Sequence, residues 1–590
     1  MLSLLLFWQV SHVLIYSRIS CTSPSIGMYG KFFYGSHGFS DFHTILPLSN
    51  SYSMPPINIL QMHPIATAIF IFALALWIRR TVKWRFHPLR KFPLASEPFL
   101  RVIDMIIPPK DCPRKRLVQY VQNPAYQSLV VVYETLTGPN LVVNDADLIK
   151  EIVAKRQANY NSNTVQRGSL RIRIGRIIMG RGILTTTNQD WKWRREAIVP
   201  LFQPRRVIPA LLPYVIERAN NLIDELSAYA KLRQAVDIDV LLVDFTFDVI
   251  CKYLFGLAGD ELDYTMIGNR RKIKNEFQTM MSGNQVVWIR LPYIGNTKWA
   301  SRSFRPARER LESFVRQSIR RSLARPDLYL DQARSILPVV HELARHSNYS
   351  SITPGEPSQE LVTELLGIIF AGHDTTSHTA AFAFGEIAKN PEVQAGLFEE
   401  VARVFGGQPG ESEGIVEKLA SLTYLSAVVK ETQRIYPAAN VIMTEAKVEQ
   451  ELAGHYIPAG EIILLLLLIC QAIHLNIRGA MMNPRHFPNP FIFDPNRWLT
   501  SSSEAFEELD TYNTQAPSKK SLPELVFSAG AHACLGRNLA MLEIRVLLMF
   551  VINRFDIAPK EGTKLDTVFK LTLLPKEGVW LTLKDRLQDK

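Results

Sequence analysis

Cysteine is scarce in this chain, and so is acidic charge. Five cysteines occur in 590 residues, at Cys21, Cys112, Cys251, Cys470 and Cys534. None is paired at the spacing of a metal site, and so few in so long a chain exclude a disulfide framework. The bulk of the protein therefore reads as belonging to a reducing compartment. No flavin or nicotinamide motif occurs, which excludes a chain that carries such a cofactor itself. Internal repeats and long low-complexity tracts are also missing. Charged residues make up 21% and hydrophobic residues 47%, a globular composition with material for a large core. Acids number 55 against 67 bases, leaving a net charge of +12. That excess suits an anionic membrane surface or an acidic protein partner. No basic block with interleaved aromatics stands out, so nucleic acid is not an expected partner.

Long hydrophobic runs are few. Residues 65–78, IATAIFIFALALWI, carry no charge and are followed by Arg79, Arg80, Lys83, Arg85, Arg90 and Lys91. At about 1.5 Å per residue this run spans about 21 Å, short of the roughly 30 Å hydrocarbon core. Extension back to Ile57 gives the length but takes in Asn58, Gln61, His63 and Pro64. A buried core helix is the plainer reading of so short a run. The cationic flank favours a membrane anchor over residues 57–80, with everything after Arg80 in the cytosol. Residues 2–16 form a weaker apolar segment. It fits a signal peptide, a second membrane contact, or an upstream extension with Met54 or Met62 as the start. Residues 1–56 are thus an uncertain N-terminal extension.

From residue 81 to 590 the pattern is that of one large, mainly α domain with a small β region. Helix-like apolar patterns alternate with strand-like runs such as 129–133 and 462–468. A polar stretch over 500–521 reads as a surface loop. Nothing between 150 and 490 looks like a linker.

Four constellations carry chemistry. The first is Phe527-Ser-Ala-Gly530-Ala-His532-Ala-Cys534-Leu-Gly536, which opens an apolar helical run reaching about Ile552. Gly530 and Gly536 permit backbone angles that a side chain blocks. Cys534 then lies just ahead of a helix start, where N–H groups and the positive dipole end favour a thiolate. The same residues also fit a buried, inert cysteine. The second lies in a long apolar helix over 361–389, stopped by Asn390-Pro391. Ala371-Gly372-His373-Asp374-Thr375-Thr376 sits in its middle, where a buried acid is costly unless paired. A threonine bonding back to the carbonyl four residues earlier is the bland account of that cluster. Third, Glu431 and Arg434 share a helix face three residues apart, and Phe493-Asp-Pro495-Asn-Arg497-Trp498 follows. Fourth, Trp191 and Arg195 share a face in Trp191-Lys-Trp-Arg-Arg195, within what also reads as a basic amphipathic surface helix.

Taken together, and in this chain order, these segments resemble the cytochrome P450 family over roughly residues 90 to 580. The resemblance implies a helical prism holding haem b (iron protoporphyrin IX), with Cys534 as the axial ligand of the iron. It implies that Phe527 and Gly530 shape the cysteine loop, and that His532, Trp191 and Arg195 hold the haem propionates. Thr375 opens a groove for dioxygen and Asp374 helps relay protons. Glu431, Arg434 and Arg497 form a buried triad. The implied reaction inserts one atom of dioxygen into a hydrophobic small molecule and reduces the other to water. Its electrons come from NADPH only indirectly, through an NADPH–cytochrome reductase, whose acidic flavin domain suits the basic balance. Membrane lipid is the other expected partner, and the endoplasmic reticulum membrane the expected location, with the catalytic domain facing the cytosol. The apolar segment 438–443 is expected to line the substrate pocket.

The chain also departs from the family's pattern. Thr444 stands where an Arg usually contacts a propionate. Phe92-Pro93-Leu94 replaces a Pro-Gly-Pro hinge. Between His474 and Asn483, residues 475–482 read as an insertion, for which retained intron sequence is the leading explanation. A haem-thiolate isomerase or dehydratase, and an inactive haem-binding relic, are the rival readings; intact Asp374 and Thr375 count against the first.

Overall fold

In a computed structural model, the described residues run from 130 to 587, with breaks at 136–137, 156–164, 168, 266, 284–293, 351–354, 407–413, 447–448, 453, 458–471 and 500–522. The expected extension 1–56, the anchor 57–80, the hinge 92–94, the strand 462–468 and the loop 500–521 lie outside them. Among the described residues, no helix is long and apolar enough to cross a membrane.

The helices that build the body are α1 (Ala146–Lys155), α2 (Ser169–Met179), α3 (Asn188–Ile198), α4 (Pro204–Lys231), α5 (Ile238–Phe255) and α6 (Ile273–Ser282). They continue with α7 (Arg305–Leu323), α8 (Gln359–Lys389), α9 (Pro391–Phe405), α10 (Thr423–Ile435), α11 (Ile477–Met481) and α12 (Arg537–Arg554). Between them run β1 (Val130–Thr135), β2 (Gly138–Val143), β3 (Val165–Arg167), β4 (Val236–Asp237), β5 (Val441–Ala446), β6 (Gln450–Leu452), β7 (His455–Ile457) and β8 (Ala472–Asn476). The chain closes with β9 (Phe555–Pro559), β10 (Thr567–Phe569), β11 (Leu573–Pro575) and β12 (Trp580–Asp585). The main sheet has the order β1-β2-β8-β5-β3, in which only β2 and β8 pair in parallel. Two cores result, one among the helices and one between this sheet, α1 and α11.

Helix α8 forms the axis of the helical core. Ser358 caps its start, its Oγ accepting from the Leu361 N–H at 3.2 Å, and Pro391 prevents its continuation. A helix that is apolar on every side is a buried one, and α8 is covered by protein almost throughout 361–388. The positions only partly covered are Ala371, Gly372, Thr375 and Glu386. Gly372 is there for close approach: a Cβ on it would stand 2.9 Å from Ile250 Cγ1 of α5.

Residues 475–482 are not an insertion. Leu475 and Asn476 end the central strand β8, which pairs with β2 on one side and β5 on the other. Asn476 then caps α11, accepting from the Gly479 N–H at 3.0 Å, while its Nδ2 donates to Asn144 Oδ1 at 2.8 Å. Ile477, Ala480 and Met481 are buried against the sheet core. An extra loop belongs on the surface; this segment is core. The sequence carried the signal in an Asn cap followed by apolar residues at helical spacing. Thr444 is likewise interior, fully buried in β5 opposite Arg167 of β3 and Ile473 of β8.

Candidate active site

The cysteine loop is a closed hydrogen-bonded turn. The Cys534 N–H donates to the Phe527 carbonyl at 2.8 Å and the Ala533 N–H to the Gly530 carbonyl at 2.8 Å. Ser528 at φ 58° and Gly530 at φ 72° turn the backbone through the left-handed region, which glycine enters without strain. Helix α12 begins three residues after the cysteine. Cys251, in α5, is fully buried. Cys534 lies deep in the fold too, yet its surface is left uncovered by protein. Burial pushes its thiol above the ordinary value, against the pull of the Gly536 and Arg537 N–H groups and the Arg195 and Arg537 charges. The N–H groups at the helix start favour the thiolate, as the sequence led one to expect, but burial outweighs them. A bound metal cation would supply the missing stabilisation, since a coordinating thiol loses its proton outright.

Helix α3 is docked onto this loop. Arg195 Nη1 donates to the Ala533 carbonyl at 2.8 Å, and the Trp191 and His532 rings lie 4.0 Å apart. One step away on the same face, Arg194 is buried and its Nη1 reaches Glu364 Oε2 of α8 at 2.6 Å. Glu364 also accepts from the Ile183 N–H and the Tyr349 hydroxyl, each at 2.8 Å. Burial raises its acid above the usual carboxylate value, with Arg194 opposing that shift. Helix α3 thus binds the cysteine loop with Trp191 and Arg195 and the central helix with Arg194. Sequence reasoning missed Arg194, which reads as part of a basic surface. Its partner is 170 residues away and nothing local points to it.

On α8, Thr375 Oγ1 donates to the Ala371 carbonyl at 2.8 Å, the local back-bond weighed from sequence. Ala371, Gly372 and Thr375 lie on one face and form a partly uncovered strip of small residues. Asp374 is buried at the edge of that strip. Its Oδ2 accepts from the Thr572 hydroxyl, and its Oδ1 lies 3.5 Å from His378 Nε2. His378, Asp239 and Lys274 continue this cluster, none of them foreseen from sequence.

Glu431 collects the third group. Arg434 Nε and Nη2 hold its two oxygens at 2.9 and 2.8 Å. Arg497 Nε donates to Oε1 at 3.0 Å and Trp498 Nε1 to Oε2 at 3.0 Å. The Asp494 N–H adds another bond at 3.0 Å. The remaining reach of Arg434 goes to the carbonyls of Met481, Pro490 and Ile492 at 3.1, 2.7 and 3.2 Å. One carboxylate thereby fastens α10 to the end of α11 and to the 490–498 segment.

The donor set fits an iron porphyrin. A soft sulfur is left uncovered in a hydrogen-bonded loop, a cation and two ring side chains stand beside it, and a strip of small residues on α8 is only partly covered. The comparisons agree. The cytochrome P450 family model matches residues 118–582. Porcine (Sus scrofa) thromboxane-A synthase is 25% identical over 76% of this chain and 84% of its own length. Cytochrome P450 6B1 of Papilio polyxenes is 24% identical over 78% of this chain and 87% of its own. A crystal structure of a cytochrome P450 superposes with a TM-score of 0.63 at 19% identity, covering 84% of this chain and 99% of that one. Fold and donor set define a haem-thiolate oxidoreductase of mainly helical architecture. The chain belongs to the cytochrome P450 family. It is a monooxygenase that uses haem b, with electrons from a reductase.

Proposed function

We propose that this protein oxygenates a hydrophobic small molecule at a haem whose iron is bound by the sulfur of Cys534. The observation that carries this reading is the contrast between the two described cysteines: Cys251 is packed shut, whereas Cys534 is presented uncovered by a hydrogen-bonded turn. When bound, the haem supplies the reductive activation of dioxygen. The chain's own residues do the rest. Phe527 and Gly530 hold the turn, and Trp191, Arg195 and His532 hold the propionates. The Thr375 hydroxyl, on the partly uncovered strip, orients the reacting oxygen and its water. Asp374, at the edge of that strip, is the acid behind it. Glu431, Arg434 and Arg497 keep the surrounding segments in register.

Residues 57–80 anchor the protein in the endoplasmic reticulum membrane, with the body on the cytosolic side. The thromboxane-A synthase and P450 6B1 relatives and the cationic flank at 79–91 support a microsomal member served by an NADPH–cytochrome reductase. The partly covered Ile442 and Met443 of β5 favour an apolar substrate.

The test is substitution of the ligand. The wild-type protein, reduced under carbon monoxide, gives the red-shifted Soret band of thiolate ligation. Cys534→Ala loses that band and Cys534→Ser moves it to the position of oxygen ligation, with far-ultraviolet circular dichroism unchanged. An unaltered band in Cys534→Ala overturns the assignment.

A further inference from the structure

One run of buried ionisable groups has no part in the scheme so far. It begins at Lys274 of α6, whose Nζ lies 2.6 Å from Asp239 Oδ2 at the start of α5. Asp239 Oδ1 is 2.6 Å from His378 Nδ1, and His378 Nε2 is 3.5 Å from Asp374 Oδ1. Side-chain exposure falls from 23% at Lys274 to 4% at Asp239 and 2% at His378 and rises again to 11% at Asp374, so the run leads from the surface through the core. Charges along it alternate: ammonium, carboxylate, imidazole, carboxylate. It ends beside the partly uncovered strip, since Asp374 lies about 60° around the helix from Ala371.

The contact to Asp374 is the long one. At 3.5 Å it stands at the limit of a hydrogen bond, so Asp374 is steered by His378 without being locked to it. The other groups facing this pair are His373 on the same helix and Lys570 and Thr572 near the carboxyl end. His373 donates Nδ1–H to the Ile369 carbonyl at 2.7 Å, and burial holds it below the ordinary imidazole value. Lys570 donates to Gln278 at 2.9 Å, and burial lowers it too. His378 is therefore the cation placed directly between the two acids.

We propose that His378, held by Asp239, which Lys274 holds in turn, is a positioning residue that fixes the direction and charge of Asp374 at the edge of the reaction site. The inference rests on the role given to Asp374 above. Burial works against a charged His378, but the two flanking carboxylates outweigh it and hold its proton up to about pH 9. The same imidazolium keeps Asp374 below the usual carboxylate range, against its own burial. Asp374 thus stays ionised, and pulled toward His378, across the neutral range.

The experiment uses the full chain with haem and a purified reductase. The pH profile of NADPH oxidation and hydrogen peroxide release is measured for the wild type, His378→Gln, Lys274→Met and Asp374→Asn. The wild type shows an alkaline limb near pH 9. His378→Gln lacks this limb, and its acid limb moves up by about one unit or more, tenfold in proton concentration. Lys274→Met, a partly exposed site that leaves the fold intact, moves the alkaline limb upward because Asp239 loses its other cation. Melting temperature gives a readout independent of turnover. A raised folded-state value means stability present below about pH 6.5 and lost as pH rises through it, so the wild type melts progressively lower between pH 7 and 10 and His378→Gln does not. Superimposable pH profiles and melting curves overturn the inference. A missing carbonyl Soret band in the wild type overturns the haem assignment instead, and an unaffected Asp374→Asn profile overturns the role of Asp374.

Discussion

Two buried ionic clusters in this molecule are built in opposite ways. Around Glu431 every route closes: both carboxylate oxygens are saturated by two guanidinium groups, an indole N–H and a backbone N–H. Around His378 the groups stand in single file, and the last contact is long. Buried charge is costly to desolvate, and the cost is offset only where geometry and hydrogen bonding are complete. The Glu431 cluster meets that condition and behaves as a clamp across three chain segments. The His378 cluster meets it at Asp239 and relaxes it at Asp374, which keeps only the long contact to His378 and a bond from Thr572. Saturation marks a fastening; an end with a long contact fits the positioning role proposed for His378.

That contrast can be broken experimentally. The largest effect belongs to the clamp. Glu431→Ala strands Arg434 inside the protein and costs about 3–5 kcal/mol, read as the urea midpoint and as loss of haem on expression. Retention of wild-type stability would remove the distinction between the two clusters.

A smaller loss, of about 1–3 kcal/mol, follows Asp239→Asn, because Lys274 can turn to water and His378 keeps Asp374. Its sign with pH is specific. Asp239 is held well below the usual carboxylate range by His378 and Lys274, against its own burial. A depressed folded-state value contributes stability above the unfolded value of about pH 4, lost as pH falls below it. Urea titrations at pH 6 and pH 3 therefore show a steeper acid loss for the wild type than for Asp239→Asn.

Thr375→Ala sharpens the contrast from the other side. Removing a back-bond to a carbonyl that keeps its helical partner changes stability by no more than about 0.5 kcal/mol. The melting temperature stays put, while the hydrogen peroxide released per NADPH rises. A large stability change would mean that the strip is structural.

Much of the site was legible because its signals are local. Cys534 with Gly530 and Gly536, Glu431 with Arg434, and Trp191 with Arg195 are all within one loop or one helix face. The long apolar run around Ala371–Thr376 gave the position of α8 to within two residues at its start. Residues 475–482 went astray for a different reason. Treating His474 as a fixed landmark made the following residues look surplus, although their own Asn cap and apolar spacing described a strand end and a short helix.

The sequence by itself determined the reaction class and the helical character of the body, and singled out Cys534 as the candidate sulfur donor, because a ligand loop, a capped helix and an i,i+3 pair are specified by neighbours along the chain. Only the tertiary structure decided which acid meets which base. Arg194 finds Glu364 and His378 finds Asp239 across 170 and 139 residues. It also decided that Asp374 meets His378 and Thr572. The direction of a buried side chain is set by which elements pack against it, and that information lies in no single stretch of chain.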